Sequence, residues 1–285
     1  MKTWNRCTKL ALAVAVLLVF ACAASAQTRK ELRFNVSPGA AINITNDFGP
    51  VTVRSAPGSQ VLVTALVRSD QVQIEKTQTG PRVEIRTQYP PQRPSGDAAR
   101  VDYEVTVPPN CSVTIHSSAG PITVERRRGD LSAEGDASNI EVRDVANGHV
   151  HLRSLKGNVN LTNVSNGHVE VTSVAGPVML NNVSGPRVEI NTTNGDITYR
   201  GEFASNGDYV FTTHSGNIDV VLPANASVDV SASSLKGKVE NDFQFQPKAQ
   251  ASRLVGGSSF AGTLNKGGSS VQLRSFSGTI RVKKQ

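Results

Sequence analysis

Residues 141–159 read EVRDVANGHVHLRSLKGNV, residues 160–178 read NLTNVSNGHVEVTSVAGPV, and residues 179–197 read MLNNVSGPRVEINTTNGDI. Set one above another at a step of 19, the three lines agree column by column. Val142, Leu161 and Leu180 share one column; Val145, Val164 and Val183 share the next. Val150, Val169 and Val188 form a third, Leu152, Val171 and Ile190 a fourth, and Val159, Val178 and Ile197 close the unit. Gly148 matches Gly167, and Gly157 matches Gly176 and Gly195. TVERRRGDLSAEGDASNI (123–140) keeps the frame with one residue fewer, and TYRGEFASNGDYVFTTHSGNI (198–218) with two more.

Within each unit the apolar positions alternate, the period of a strand with one buried face. Glycines between these runs mark tight turns. Strands this short cannot bury enough area alone. Stacked copies can, because equivalent strands pair in parallel about 4.8 Å apart and their valines join into one stripe. The spacing therefore predicts an all-β solenoid with repeats of about 19 residues. The Gly and β-branched content excludes a helical solenoid, and the frame of a leucine-rich repeat is missing. The column Asp144, Asn163, Asn182 predicts side chains hydrogen-bonded along the stack.

Outward from the repeat, residues 32–115 carry longer apolar runs, such as VLVTALV (61–67) and VDYEVTVP (101–108). They predict wider coils or an antiparallel sheet that starts the stack. Residues 241–270 break the repeat and suit a hairpin or cap over an exposed end. VQLRSFSGTIRVKK (271–284) returns to the pattern. The expected organisation is a leader at 1–26, an N-terminal β-region at 27–115, regular repeats at 116–240, and a cap with closing strands of the same domain at 241–285.

The leader has a basic start (Lys2, Arg6, Lys9), an apolar stretch, and Ala24 and Ala26 placed for cleavage before Gln27. That is the pattern of a secretory signal peptide. It predicts export to the periplasm, the cell surface or the medium. Val19–Cys22 departs from a lipoprotein box at Phe20, so membrane contact is expected only if Cys22 is lipidated. Of the 30 basic residues the leader takes three, leaving 27 against 23 acidic, a net charge of +4. Two of the three cysteines, Cys7 and Cys22, lie in the leader, so the remaining Cys111 has no partner for a disulfide. The export pattern and the lack of aromatics interleaved with the basic residues argue against nucleic acid.

The flanks carry a family resemblance. YEVTVPPNCSVTIHSSAGPITVE (103–125), its second version VVLPANASVDVSASSLKGKVEND (220–242), and SSVQLRSFSGTIRVKK (269–284) resemble a bacterial "putative adhesin" family of unknown function. The resemblance spans about residue 30 to the end. It implies an exported β-solenoid and no catalytic residues, and fold alone does not fix function.

Chemistry is sparse. Glu170 and Glu189 form the one acidic column, with His151 before them, but they alternate with buried valines and so face solvent. His149 and His168 recur in identical NGHV phrases and should stack at a turn. With His151 nearby the pair offers ligands of the type a surface metal site uses, yet repetition of the phrase explains the pair without a metal or cofactor. Arg126, Arg127 and Arg128 form the clearest basic run, suited to solvated turns or to an anionic surface. His116 and His214 stand isolated in the sequence. No nucleophile elbow or phosphate loop is present.

These features predict a non-enzymatic envelope protein, adhesin-like, binding a glycan or another envelope protein through a flat polar face. The expected contact residues are His149, His168, Glu170, Glu189 and Arg126, Arg127 and Arg128. A second expectation is a polysaccharide lyase or hydrolase on a β-helix, which needs converging carboxylates in a cleft. A third is self-association through the terminal coils.

Overall fold

A computed structural model describes residues 27–247 and 257–285, so the leader, with Ala24, Ala26 and Cys22, lies outside the described residues. The N-terminal strands are β1 (Thr28–Asn35), β2 (Ala41–Phe48), β3 (Val51–Ser55), β4 (Gln60–Val67), β5 (Gln73–Thr79), β6 (Arg82–Gln88) and β7 (Val101–Val107). A single 3-10 turn, Gly96–Ala99, precedes β7. The central strands are β8 (Ser112–Ala119), β9 (Ile122–Arg128), β10 (Leu131–Ala137), β11 (Ile140–Ala146), β12 (Val150–Lys156), β13 (Val159–Ser165), β14 (His168–Ala175), β15 (Val178–Ser184), β16 (Arg187–Asn194) and β17 (Ile197–Arg200). The C-terminal strands are β18 (Asp208–Thr213), β19 (Ile218–Leu222), β20 (Val228–Ser234), β21 (Val239–Asn241), β22 (Gln246–Pro247), β23 (Ser258–Leu264), β24 (Ser269–Ser275) and β25 (Ile280–Lys284).

The chain is a β-solenoid with two strands per coil. Odd-numbered central strands build one sheet, β3-β9-β11-β13-β15-β17-β19, and even-numbered ones build the other, β2-β8-β10-β12-β14-β16-β18. The 19-residue step is the register itself. Val150 pairs with Val169 and Val169 with Val188 in the even sheet. Leu161 pairs with Val142 and with Leu180 in the odd one. Every valine, leucine and isoleucine of the five columns is essentially inaccessible. Each contributes about 1.5–3 kcal/mol of burial.

The turns explain the glycines. Coils stack so closely that a Cβ on Gly167 would run into the Gly148 carbonyl, and one on Gly176 into the Gly157 carbonyl. The asparagine column is a second consequence. Asp144, Asn163 and Asn182 all sit at φ 54°. Their strands bulge there, so the residue drops out of the backbone ladder. Asn tolerates that left-handed conformation better than most residues. The ladder forms as the column implied: Asn163 Nδ2 donates to Asp144 Oδ1 at 2.9 Å, and Asn182 Nδ2 to Asn163 Oδ1 at 3.0 Å.

The ends depart from sequence order in the same way. The strands β6 and β7 stack outside β2 and β3, which pair on their other side with β8 and β9. The strands β20 and β21 likewise stack outside β24 and β25, which pair with β18 and β19. The closing segment 269–284 is therefore the penultimate coil. Antiparallel strands finish both ends: β1, β4 and β5 at one, β22 and β23 at the other. The outermost strands carry charges (β1, TRKELRFN, and β5, QIEKTQT) or are two to three residues long (β21 and β22), which discourages pairing with another edge.

Candidate functional site

The outer face of the even sheet carries its side chains in straight columns. One runs Ser132, His151, Glu170, Glu189. Its neighbour runs His116, Glu134, Arg153, Thr172, Asn191. At the turn, His149 and His168 stack face to face, 5.0 Å apart and 7° from parallel, and His168 is followed by Arg187 and Asp208. The expected stack is thus present.

Ion pairs run along and between these columns. His151 Nδ1 lies 3.3 Å from Glu170 Oε2. Glu189 accepts from Arg187 at 2.8 Å and from Asn191 at 3.2 Å, and these two donors hold its carboxyl below the usual range. A hydrolase needs one carboxyl kept protonated. Glu189 is driven the opposite way, and the pair lies on an open sheet rather than in a cleft. His116 and His214 are not isolated: His116 Nδ1 is 3.5 Å from Glu134, and His214 stacks on Phe276 at 4.6 Å. Their partners come from other coils, which linear spacing hid. Among the described residues no group of three or more His, Cys, Asp or Glu is placed to hold a metal ion.

Sequence reasoning missed an apolar stripe on the same face. The position after Ser154 lies beside the one after Ser173, and onward through Thr192, Thr213, Ser275 and Ser234. Along it stand Leu155, Val174, Thr193, His214, Phe276 and Leu235. Three of the four large apolar side chains left exposed among the described residues, Leu155, Val174 and Leu235, belong to this one column. Lys236 sits over the Phe276 ring at 4.8 Å. The 19-residue step from Leu155 to Val174 was the available signal, but the later members come from coils of other lengths.

Two clefts flank the N-terminal coils. One, of about 330 Å³, holds Glu75, Glu84, Arg86 and His116. Its carboxylates are engaged, Glu75 by Gln88 at 2.5 Å and Glu84 by Arg82 at 3.8 Å. The other, of about 460 Å³, lies at the ends of the odd-sheet strands and is bordered by Arg126, Arg127 and Arg128. Here the expected surface run needs correction. Arg126 and Arg128 are exposed, but Arg127 is 1% exposed. The bulge at Arg126, φ 52°, turns Arg127 inward. It then occupies the column that holds Val145, Val164 and Val183 in later coils. Its Nη2 donates to the Cys111 carbonyl and to the Asp130 carbonyl at 3.4 Å. Burial pushes its pKa down to about 10, so it stays charged at neutral pH.

Similar solved structures include a "putative adhesin" from Bacteroides fragilis, 12% identical, with a TM-score of 0.54 over 92% of this chain and 99% of that one. A "putative adhesin" from Parabacteroides distasonis is 10% identical, with a TM-score of 0.47 over 92% and 98%. A "putative cell adhesion protein" from Clostridium sporogenes is 14% identical, with a TM-score of 0.30 over 90% and 100%. No curated protein matches the chain. The model of one family matches residues 40–283, nearly all of the stack: the chain belongs to the Toastrack DUF4097 family.

Proposed function

We propose that this protein is an exported, non-catalytic binding module of the cell envelope that holds a glycan or another envelope protein on the outer face of its even sheet. The observation that carries this reading is the face itself. Polar and ionic columns run across β10, β12, β14 and β16 beside a stripe rich in exposed apolar side chains. Straight columns at strand spacing suit many weak, repeated contacts with an extended partner. The leader pattern supports export, and the Bacteroides fragilis neighbour, itself described as a putative adhesin, supports an adhesive role.

The test is a glycan array probed with the purified protein, followed by an assay of product release on each hit. Saturable binding without new reducing or unsaturated ends is the expected result. It should weaken at least tenfold when Val174 and Phe276 are both changed to Ser. Release of cleaved sugar would replace this reading with the lyase or hydrolase one.

A further inference from the structure

The arginine cleft lies on the other sheet and has its own chemistry. Three consecutive guanidinium groups border it, and among the described residues none of them forms an ion pair. Arg127 keeps two nitrogens, Nε and Nη1, buried and without a partner, and Ser55 Oγ beside the same cleft is buried and unpartnered too. Asp130 acts on the Arg127 charge only from beyond ion-pair distance; a buried charge without a contacting counter-ion is costly, and an anion nearby offsets that cost. The lining holds one carboxylate, Asp144, against three guanidinium groups, so the cleft remains net positive. At about 460 Å³ it exceeds what an inorganic oxyanion fills, and Ala56, Pro57, Pro109 and Ala146 give it an apolar wall.

We propose that this cleft binds an acidic saccharide. The carboxylate or sulfate of the sugar is held by Arg126 and Arg128. The Arg127 charge adds attraction from behind, where screening is weak. The C–H face of the ring lies on Pro57, Pro109 and Ala146. A lipid surface fits less well, because none of the exposed large apolar residues borders the cleft to enter a bilayer. Nucleic acid fits less well because no aromatic ring borders it for stacking.

The test is calorimetric titration of the purified protein with a galacturonate tetrasaccharide and a sulfated tetrasaccharide. A neutral galactose tetrasaccharide, sodium sulfate and phosphatidylglycerol vesicles serve as comparisons. The expected result is saturable, salt-sensitive binding of at least one acidic tetrasaccharide and none of the neutral one. The Arg126→Ser/Arg128→Ser variant, altered only at exposed side chains, should bind at least tenfold more weakly at an unchanged melting temperature. Arg127→Met should bind severalfold more weakly while remaining folded. Failure of both acidic sugars to bind, or undiminished binding in the double variant, overturns the proposal. So does sulfate ion saturating the site at the same concentration as the sugar, or binding to vesicles alone. Loss of Val174 and Phe276 should leave this binding intact, which separates it from the sheet-face reading.

Discussion

The coil of β9 and β10 and the three coils after it place different residues at one interior point. Val145, Val164 and Val183 fill it in the later coils, and Arg127 fills it in the earlier one. The later coils hold no buried charge, only apolar columns and a few small hydroxyls. Toward the N-terminus polar groups multiply. Asn46 donates to the Gly49 and Val101 carbonyls and accepts from Thr87, whose hydroxyl also meets Tyr103 at 2.9 Å. Where identical coils stack, each template fixes the next and apolar packing suffices. Where the stack meets irregular coils, carbonyls and loop ends need specific partners, and polar side chains supply them.

The strongest way to break this comparison is at a stacked turn. Gly167→Val places a side chain against the Gly148 carbonyl, where the stacked turns leave no room for it. A loss of more than about 4 kcal/mol is expected. Nothing lies within 4 Å of a Cβ added at Gly58, a loop glycine of the N-terminal part at φ 132°. Gly58→Ala should therefore cost only backbone strain, about 1–3 kcal/mol. Urea unfolding of both variants checks the difference.

Alkaline pH probes the buried tyrosines of the two regions. Burial pushes Tyr103, in the N-terminal coils, up to about 12. It also raises Tyr199 and Tyr209, which fill the wider coil of β17 and β18. Each holds its proton more tightly folded than unfolded. Stability is thus full below about pH 10 and falls as pH rises toward 12, by up to about 1.4 kcal/mol per unit for each tyrosine. Urea midpoints between pH 9 and 11.5 should fall less steeply in Tyr103→Phe and in Tyr199→Phe.

Arg127→Met tests whether the odd coil can be made like its neighbours. An apolar side chain of similar length should leave stability unchanged or raise it by about 1–4 kcal/mol. A loss beyond about 2 kcal/mol would show that the Cys111 carbonyl depends on this guanidinium. The smallest expected effect is in the ladder. Asn163→Ala removes two exposed side-chain hydrogen bonds and keeps φ at 54°, at a cost of about 1 kcal/mol. Asn163→Gly relieves the backbone and should cost less, which thermal melts of the pair would resolve.

Much of the central stack was legible in the primary structure. A step of 19 fixed which valines pair, where the glycines turn, and that His149 lies over His168. Period-two alternation fixed that Glu170 and Glu189 face outward. These are one-dimensional facts, because each coil contacts only its neighbours at a constant offset. The direction of Arg127 was not legible. Alternation fails at a bulge, and Arg126 takes the left-handed conformation there without being Gly or Asn. Nor was the apolar stripe, because Phe276 and Leu235 reach Val174's column from coils that are out of sequence order. Tertiary structure alone decided how the ends close, which cleft gathers the arginines, and which exposed residues share a column. Those contacts join segments with no common period, so only packing in three dimensions sets their distances.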